Sequence, residues 1–213
     1  MNVKWLQVYF ILGSNNTDQE ALYVLEEALK GGITCFQFRE KGKGALTGNA
    51  KKQLAIQMKD LCRKYQVPFL INDDVDLALE IAADGVHVGQ DDMSIGDVRK
   101  ICPTNWIIGV SATNKEEAIQ AKKDGADYIG VGPIYSTNTK EDAKQPIGEK
   151  GLQAIRKEVG ATPLVAIGGI QLADVNRLMQ AGTNGVSVVS AISQDSDPQG
   201  TTRKFLDQAN LHF

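Results

Sequence analysis

The stretch GADYIGVGPIYSTNTK, residues 125–140, joins an apolar segment to a polar loop that ends on a lysine. Residues 127–131 form a short apolar run of the length that predicts a buried strand. The loop after it carries small hydroxyl and amide side chains followed by the cation: Ser136, Thr137, Asn138, Thr139 and Lys140. In α/β proteins ligands bind outside the carboxyl ends of the strands, and such a loop suits an anionic ligand. The fold then depends on whether the other strands end in loops of the same kind.

Apolar runs of strand length alternate with segments of helical periodicity along the whole chain. The runs predict strands at residues 6–12, 34–39, 68–72, 85–88, 106–110, 127–131, 163–167 and 185–189. The segments between them predict helices near residues 17–30, 47–65, 75–83, 94–101, 115–124, 148–159, 171–181 and 197–209. Thr17 and Asn114 are the predicted N-caps of the first and fifth of these helices, each followed by acidic residues.

Three of the units share one design, in which a helix ends on alanine or glycine, an Asp or Asn turn follows, and a buried strand begins. This design occurs at residues 83–86, 125–128 and 181–186. Eight strand–helix units with short connections, and no shift in composition that would mark a linker, predict a single (β/α)8 TIM barrel domain over residues 1–213. A doubly wound sheet is the alternative. In a barrel the chemistry lies at the carboxyl ends of the strands, so the residues found there test the prediction.

The composition is that of an ordinary globular protein, with 42% apolar and 23% charged residues in a chain of 213. A net charge of −3 and a pI near 5.5 favour neither nucleic acid nor a membrane surface as a partner. No apolar run approaches the roughly 20 residues of a membrane span, and the first ten residues lack the features of a signal peptide. Cys35, Cys62 and Cys102 lack metal-site spacing, so free, mostly buried thiols in a reducing cytoplasm are expected.

The second strand ends in the segment Gln37-Phe38-Arg39-Glu40-Lys41. Side chains alternate along a strand, so Gln37, Arg39 and Lys41 share one face. Phe38 takes the other face, against the helices. Solvated charge at a strand end would account for Lys41, but not for Gln37 and Arg39, which this parity directs into the barrel mouth. A buried arginine needs an anionic partner, so the segment is predicted to bind an anion.

Two acidic pairs follow the next two strands, Asp73-Asp74 and Asp91-Asp92. One carboxylate of each pair is explained as the cap of the helix that follows, because aspartate is a common N-cap residue. The second carboxylate exceeds that need, and Asn72 adds an amide at the end of the third strand. Mg²⁺ takes one or two carboxylates and completes its octahedron with water and phosphate oxygens, so the pairs together indicate a magnesium site. Whether Asp74 or Asp91 assists the metal is left open.

Strands five, seven and eight end in Ser111, Gly168-Gly169 and Ser190. The loops after strands seven and eight form the common phosphate site of barrels, so the glycines and Ser190 indicate phosphate capture rather than tight packing alone. His87 lies in the middle of a strand and is expected to be a satisfied core residue. With no histidine close to Ser111 in sequence, a serine–histidine catalytic machine is disfavoured.

These segments define two anion-binding regions. One combines cations with acidic pairs and suits a metal-bound diphosphate, whereas the other is a neutral glycine and serine region that suits a monophosphate. No general base stands out, which favours a reaction that depends on stabilising a leaving group. Displacement of pyrophosphate by a second, phosphorylated substrate is such a reaction.

Six motifs in this order make the chain resemble the thiamine-phosphate synthase (thiamine-phosphate pyrophosphorylase) family: QFREK, INDD, GVHVGQDD, GVGPIYSTNTK, AIGGI and GVSVVSAI. The resemblance runs from the first strand to the segment before the last helix. It implies a (β/α)8 barrel enzyme of thiamine biosynthesis, a transferase that uses one Mg²⁺ ion per site. The reaction joins 4-amino-2-methyl-5-(diphosphooxymethyl)pyrimidine to 4-methyl-5-(2-phosphooxyethyl)thiazole, or to a carboxylated tautomer of that phosphate, and yields thiamine phosphate and pyrophosphate.

The same resemblance assigns roles to individual residues. It implies that the pyrimidine diphosphate contacts Gln37, Phe38, Arg39, Glu40, Lys41, Asn72, Ser111 and Lys140. It implies that the thiazole phosphate contacts Thr137, Asn138, Thr139, Gly169, Val189 and Ser190, and that the metal ligands are Asp73 and Asp92. The catalytic residues would be Arg39, Lys41, Ser111 and Lys140, in a dissociative mechanism in which pyrophosphate departs before the thiazole nitrogen adds. The loop at residues 136–147 is predicted to close over both substrates.

Three other functions are weighed against this one. A thiazole tautomerase relative shares the barrel and phosphate site but, by the same resemblance, has a histidine after strand five, where residues 111–114 read SATN. A non-catalytic sensor of phosphorylated metabolites would need neither the paired carboxylates nor the loop lysine, and a sugar-phosphate isomerase would need a Glu or His base at a strand end. The sequence leaves open whether the chain forms a homo-oligomer, and what the turn at residues 13–16 does.

Overall fold

The eight predicted strands all form, and they pair in chain order with every neighbouring pair parallel. The computed structural model describes residues 3–137 and 144–213. The last strand pairs with the first, with Val186 opposite Val8, and this closes the sheet into a barrel. The predicted fold class, a (β/α)8 TIM barrel, is confirmed, and the doubly wound alternative is excluded.

The strand bounds agree with the predicted ones to within two residues. The strands are β1 Val8–Leu12, β2 Cys35–Phe38, β3 Phe69–Asn72, β4 Gly85–Val88, β5 Ile107–Ala112, β6 Tyr128–Val131, β7 Leu164–Ile167 and β8 Val186–Val188. The helices are α1 Ala21–Gly31, α2 Gly48–Lys64, α3 Val75–Glu80, α4 Ile95–Ile101, α5 Lys115–Lys123, α6 Gly148–Val159, α7 Val175–Gln180, α8 Ser190–Ser193 and α9 Pro198–Asn210. Short 3-10 turns lie at Lys4–Leu6, Ser14–Asn16 and Leu172–Asp174. The sequence did not predict α8.

Side chains of each strand alternate between two layers, as the period of a strand requires. Phe36, Phe38 and Phe69 are buried in the layer between the sheet and the helices, with the Phe36 and Phe69 rings 5.7 Å apart. A second, smaller cluster fills the barrel interior and includes the buried rings of Tyr9 and Tyr128. Gln37 bonds the Tyr9 hydroxyl of this interior cluster, so it lies on the inner face that the parity of its strand predicts.

Helix α1 begins later than predicted. Its N-cap is Glu20, whose carboxylate accepts a hydrogen bond from the Tyr23 main-chain N–H at 3.2 Å. Thr17, the predicted cap, accepts from a main-chain N–H two residues on and forms a turn before the helix. Threonine makes such local bonds in competition with helix starts, so its presence does not locate the cap. Asn114 caps α5 as predicted, accepting from the third helical N–H at 2.8 Å.

Cys35 and Cys62 are buried and Cys102 is half-buried, all three as free thiols, which confirms that the thiols are free and mostly buried. Burial raises the pKa of the Cys35 and Cys62 thiols, so both stay protonated and unreactive. None of the helices in the described parts of the chain is long and apolar enough to span a membrane.

Candidate active site

A cavity of about 340 Å³ opens where the strands end, at the carboxyl side of the barrel. The predicted site residues that line it are Arg39, Lys41, Asn72, Asp73, Asp92, Ser111, Thr137, Gly169, Val189 and Ser190. Three others, Asn138, Thr139 and Lys140, lie outside the residues that the structure describes. Segments far apart in sequence thus meet at one place, as the barrel predicts.

The charged region of this cavity consists of Arg39, Lys41, Asp73 and Asp92. Lys41 Nζ lies 2.8 Å from Asp73 Oδ2, and this hydrogen bond raises the pKa of Lys41, which keeps its charge. Arg39 lines the cavity and forms no ion pair with any acidic residue in the described ranges. A guanidinium that borders a cavity and is not paired with a carboxylate of the described residues suits a multiply charged anionic ligand.

The carboxyl groups of Asp73 and Asp92 both border the cavity and lie close enough to shift each other's pKa. Burial and the interaction with Asp73 raise the pKa of Asp92. Burial is the largest single effect on Asp73 and opposes its ionisation, but the hydrogen bond and charge of Lys41 and the interaction with Asp92 together outweigh it and lower the pKa of that carboxyl. Asp73 has a left-handed backbone with φ of +61°, a conformation that residues other than glycine adopt rarely and often at functional sites.

The donor set of this pair fits a magnesium ion. The part of the chain that the structure describes holds no group of three or more His, Cys, Asp or Glu side chains able to enclose a metal. Mg²⁺ does not need one, since it takes one or two carboxylates and keeps water and phosphate oxygens. Asp74 is engaged elsewhere: it caps α3 through the Leu77 N–H at 3.0 Å and pairs with Lys51 Nζ at 2.6 Å. Asp91 lines the cavity beside Asp92.

The neutral region of the cavity consists of Gly168, Gly169, Val189 and Ser190. Both glycines have left-handed backbone, with φ of +97° and +66°. A Cβ on Gly168 would lie 2.6 Å from a Pro133 carbon, and one on Gly169 would lie 2.5 Å from a main-chain oxygen of the loop after β6. Gly168 and Gly169 therefore pack tightly against the loop after β6, which is the alternative to phosphate binding that the sequence left open. The same glycines border the cavity, so packing and ligand binding are compatible here.

Glu40 does not line the cavity. Its carboxylate accepts hydrogen bonds from the Ser14 N–H at 2.7 Å, the Ser14 hydroxyl at 2.5 Å and the Leu46 N–H at 2.6 Å. It thereby joins the turn after β1 to the loop after β2. The same turn places Asn16 in the cavity wall, which answers what residues 13–16 do. The geometry favours a role for Glu40 in holding the loop that carries the cations.

Phe38 and Gln37 also lie outside the cavity lining, for different reasons. Phe38 packs against the Phe69 ring in the outer layer, with ring centroids 6.4 Å apart, so its side chain points away from the cavity. Gln37 faces the barrel interior, as predicted, and donates from Nε2 to the Tyr9 hydroxyl at 2.7 Å. Its side chain lies beneath the cavity rather than in its wall.

Two polar, inward-facing strand side chains that line the cavity were not predicted as site residues, His87 on β4 and Ser187 on β8. His87 is satisfied, as expected, with Nδ1 2.8 Å from the Tyr128 hydroxyl and Nε2 2.9 Å from Ser111 Oγ. The Ser187 hydroxyl is buried and has no hydrogen-bond partner among the described residues. The alternation of side chains along each strand could have identified both, because each is a polar residue on the inner face.

The loop predicted to close over the cavity is only partly described. Lys144 lines the cavity, with Nζ 3.4 Å from Glu117 Oε1. Residues 138–143 lie outside the described ranges, so closure stays a prediction.

This combination of fold and site defines a class. A (β/α)8 barrel that holds cations and paired carboxylates on one side of its cavity, and a glycine–serine region on the other, is an enzyme scaffold suited to phosphorylated small molecules.

Residues 8–192 match the sequence profile of the thiamine monophosphate synthase family. The chain is 52% identical over 204 residues to thiamine-phosphate synthase 1 of Streptococcus pneumoniae serotype 4, covering 95% of this chain and 97% of that protein. It is 52% identical over 205 residues to thiamine-phosphate synthase of Bacillus mycoides, covering 96% and 93%. The solved thiamine phosphate pyrophosphorylase from Pyrococcus furiosus superimposes with a TM-score of 0.89 at 32% identity, covering 99% and 98%. The chain belongs to the thiamine monophosphate synthase family.

These comparisons confirm the resemblance, the barrel and the predicted activity of a thiamine-phosphate synthase, a transferase of thiamine biosynthesis. They do not favour the tautomerase, sensor or isomerase alternatives.

Proposed function

We propose that the cavity joins the pyrimidine diphosphate to the thiazole phosphate by a dissociative displacement of pyrophosphate, assisted by one Mg²⁺ ion. The observation that supports this most is that the charged region and the neutral region, each suited to a different phosphate group, border one cavity. The thiazole phosphate is the acceptor in this proposal; if its carboxylated tautomer is used instead, the carboxyl group leaves as CO2.

The charged region binds the diphosphate in this proposal. As the bond between the methylene carbon and the diphosphate oxygen breaks, negative charge develops on the departing group. Arg39 and Lys41 line the cavity and would stabilise that charge, and preorganised charge of this kind is usually the largest catalytic term. Lys140 would reach the same group from the loop after β6, and Asn72 would orient it from the end of β3.

Asp73 and Asp92 would hold the magnesium ion through carboxylate oxygens. When bound, the ion neutralises charge on the diphosphate oxygens. Binding would also favour ionisation of Asp92, whose pKa is raised by burial and by its neighbour. Lys41, now paired with Asp73 at 2.8 Å, would be released to contact the diphosphate.

The neutral region binds the thiazole phosphate through Gly169, Val189 and Ser190, with Thr137, Asn138 and Thr139 contacting the same substrate. Ser111, on the cavity wall, would orient the pyrimidine ring. The thiazole nitrogen then forms its bond to the electron-poor methylene carbon that pyrophosphate has left. No residue has to remove a proton for this bond to form, which agrees with the lack of an evident general base.

We also propose that the protein works in the cytoplasm on small molecules. The three free thiols are consistent with a reducing compartment. Both regions of the site come from a single chain, so the proposal does not require a second copy, and a homo-oligomer stays open.

The test is pyrophosphate release by the purified protein from the pyrimidine diphosphate, with and without thiazole phosphate and Mg²⁺. We expect release, with thiamine phosphate as the second product, only when both substrates and the metal are present, and loss of activity with EDTA. Release that persists in EDTA would contradict the metal's role. Interconversion of thiazole phosphate isomers without release would contradict the proposed reaction.

A further inference from the structure

Five polar side chains on five strands form a continuous hydrogen-bonded chain through the barrel interior. Gln37 Nε2 donates to the Tyr9 hydroxyl at 2.7 Å, and that hydroxyl lies 2.7 Å from the Tyr128 hydroxyl. The Tyr128 hydroxyl lies 2.8 Å from His87 Nδ1, and His87 Nε2 lies 2.9 Å from Ser111 Oγ. The chain begins beneath the cavity and ends at a hydroxyl in its wall.

The barrel is shaped to hold this chain. A Cβ on Gly109 would lie 2.1 Å from the Tyr128 ring, and one on Gly130 would lie 3.0 Å from His87 Cε1, so glycines occupy the two strand positions that these rings cross. Tyr9 and Tyr128 are at most 1% exposed. Burial raises the pKa of both hydroxyls, so each keeps its single proton and donates once.

The first member sets the direction of every later bond. An amide N–H can only donate, so Tyr9 accepts from Gln37 and its own proton goes to Tyr128. Tyr128 then donates to His87 Nδ1. A neutral imidazole that accepts at Nδ1 carries its proton on Nε2, and Ser111 lies on that side. If Tyr128 donated to Tyr9 instead, the Tyr9 proton would have to point toward the Cys35 sulfur, which is a weak acceptor.

We infer that Gln37, Tyr9 and Tyr128 hold His87 as the Nε2–H tautomer, and that the Ser111 proton is thereby directed into the cavity. His87 occupies one acceptor position of the Ser111 oxygen, and the proton of the hydroxyl remains for a ligand. The ligand atom that fits is an acceptor, such as a ring nitrogen of the aminopyrimidine, and this part rests on the proposed function. Gln37, Tyr9, Tyr128 and His87 are positioning residues, since they act through Ser111.

The tautomer can be observed directly by NMR of protein labelled with ¹⁵N-histidine. The chain has two histidines, His87 and the exposed His212, so the His212→Gln variant leaves one signal set. In mildly alkaline buffer we expect Nε2 to carry the proton and Nδ1 to show the shift of an unprotonated nitrogen. An Nδ1–H tautomer or a doubly protonated ring in this variant would overturn the inference, whatever its activity.

The remote variant Tyr9→Phe tests the chain rather than the contact, because Tyr9 does not touch His87. Its removal takes away the group that makes Tyr128 a donor, so the tautomer preference of His87 should weaken to a mixture. An unchanged Nε2–H signal in Tyr9→Phe would overturn the inference. Should Tyr9→Phe lose its fold by circular dichroism, Gln37→Leu removes the first donor and is held to the same criterion.

Activity supplies a second readout. We expect Tyr9→Phe to raise KM for the pyrimidine diphosphate about fivefold, the effect of one net hydrogen bond, with KM for the thiazole phosphate unchanged. Tyr65→Phe, at a half-buried tyrosine outside the barrel whose hydroxyl lies 3.5 Å from Glu26, is the matched control and should change neither. An equal rise in both KM values would overturn the link to Ser111. An Nε2–H signal in a protein that releases no pyrophosphate would support the inference about His87 while the proposed function fails.

Discussion

The charged region and the neutral region of the cavity are built by opposite means. The charged region depends on long side chains whose charges meet, as in the 2.8 Å contact of Lys41 with Asp73. The neutral region depends on side chains that are absent, since Gly168 and Gly169 adopt left-handed backbone and lie against the loop after β6. The difference teaches that one region is damaged by deleting a functional group and the other by adding a methyl group.

The largest effect is expected from the charged region. Arg39→Gln keeps a polar side chain but removes the charge that has no acidic partner in the described part of the chain, and we expect kcat to fall by about 10² to 10³. Lys140→Ala should act in the same direction. Lys43→Gln, in the exposed loop nearby, is the control and should leave kcat unchanged. Steady-state pyrophosphate release measures each, and near-normal turnover of Arg39→Gln would refute the role of the charge.

The neutral region should break when a methyl group is added. Gly169→Ala would place a carbon 2.5 Å from a main-chain oxygen, so we expect KM for the thiazole phosphate to rise roughly tenfold or more as the loop shifts. Gly125→Ala is the matched control, since its φ is +82° and nothing lies within 4 Å of the added Cβ. It should lower the free energy of unfolding by about 1 kcal/mol through backbone strain and leave KM unchanged. Equal KM values for the two variants would contradict a binding role for the neutral region.

Magnesium should stabilise the protein through the charged region alone. At a concentration about 100 times its Kd it would add about 2.7 kcal/mol, which is roughly 5 to 10 °C in Tm for a chain of this size. Asp92→Asn should abolish the Mg²⁺-dependent shift in a thermal melt, whereas Asp76→Asn, at an exposed aspartate of α3, should retain it. A full Mg²⁺ shift in Asp92→Asn would remove Asp92 from the metal site.

The same variant has an opposite effect without metal. Because the pKa of Asp92 is raised in the folded protein, its contribution to stability is present below the pKa of the unfolded chain and is lost as pH rises through the folded value. At neutral pH the metal-free Asp92→Asn variant should therefore melt above the parent protein. Asp73, whose pKa is lowered, has the reverse dependence, and its contribution is lost as pH falls. If the metal-free Asp92→Asn variant melts below the parent protein, ionised Asp92 does not significantly destabilise the folded protein.

The smallest effect is expected at Ser187, a buried residue of β8 that lines the cavity but belongs to neither region. Its buried hydroxyl has no partner among the described residues, so Ser187→Ala should raise the free energy of unfolding of the ligand-free protein by up to about 1 kcal/mol. If a substrate atom bonds this hydroxyl, KM for that substrate should rise a fewfold in the same variant. Chemical denaturation and steady-state kinetics measure the two effects. A destabilised variant with normal KM would assign Ser187 to packing.

Local patterns in the sequence predicted the barrel and ten residues of the cavity wall. Strand length, helical periodicity and turn residues act over a few neighbours, so the strands were found to within two residues and Asn114 was recognised as a cap. The parity of the second strand placed Gln37 inward and Phe38 outward for the same reason. The start of α1 was misplaced because Thr17 and Glu20 are both able to cap, and only the three-dimensional packing selects one of them.

What the sequence determined by itself is the (β/α)8 order and the set of polar residues at the strand ends, because both follow from periods of two and 3.6 residues that are local properties of the chain. What only the tertiary structure decided is which of those residues meet. Glu40 reaches Ser14 across 26 residues, and Tyr9 reaches Tyr128 across 119, so no local pattern records either contact. His87 was expected to be a satisfied core residue, and it is. Its position between Tyr128 and Ser111, where it can orient a hydroxyl of the cavity, follows from barrel closure and strand register.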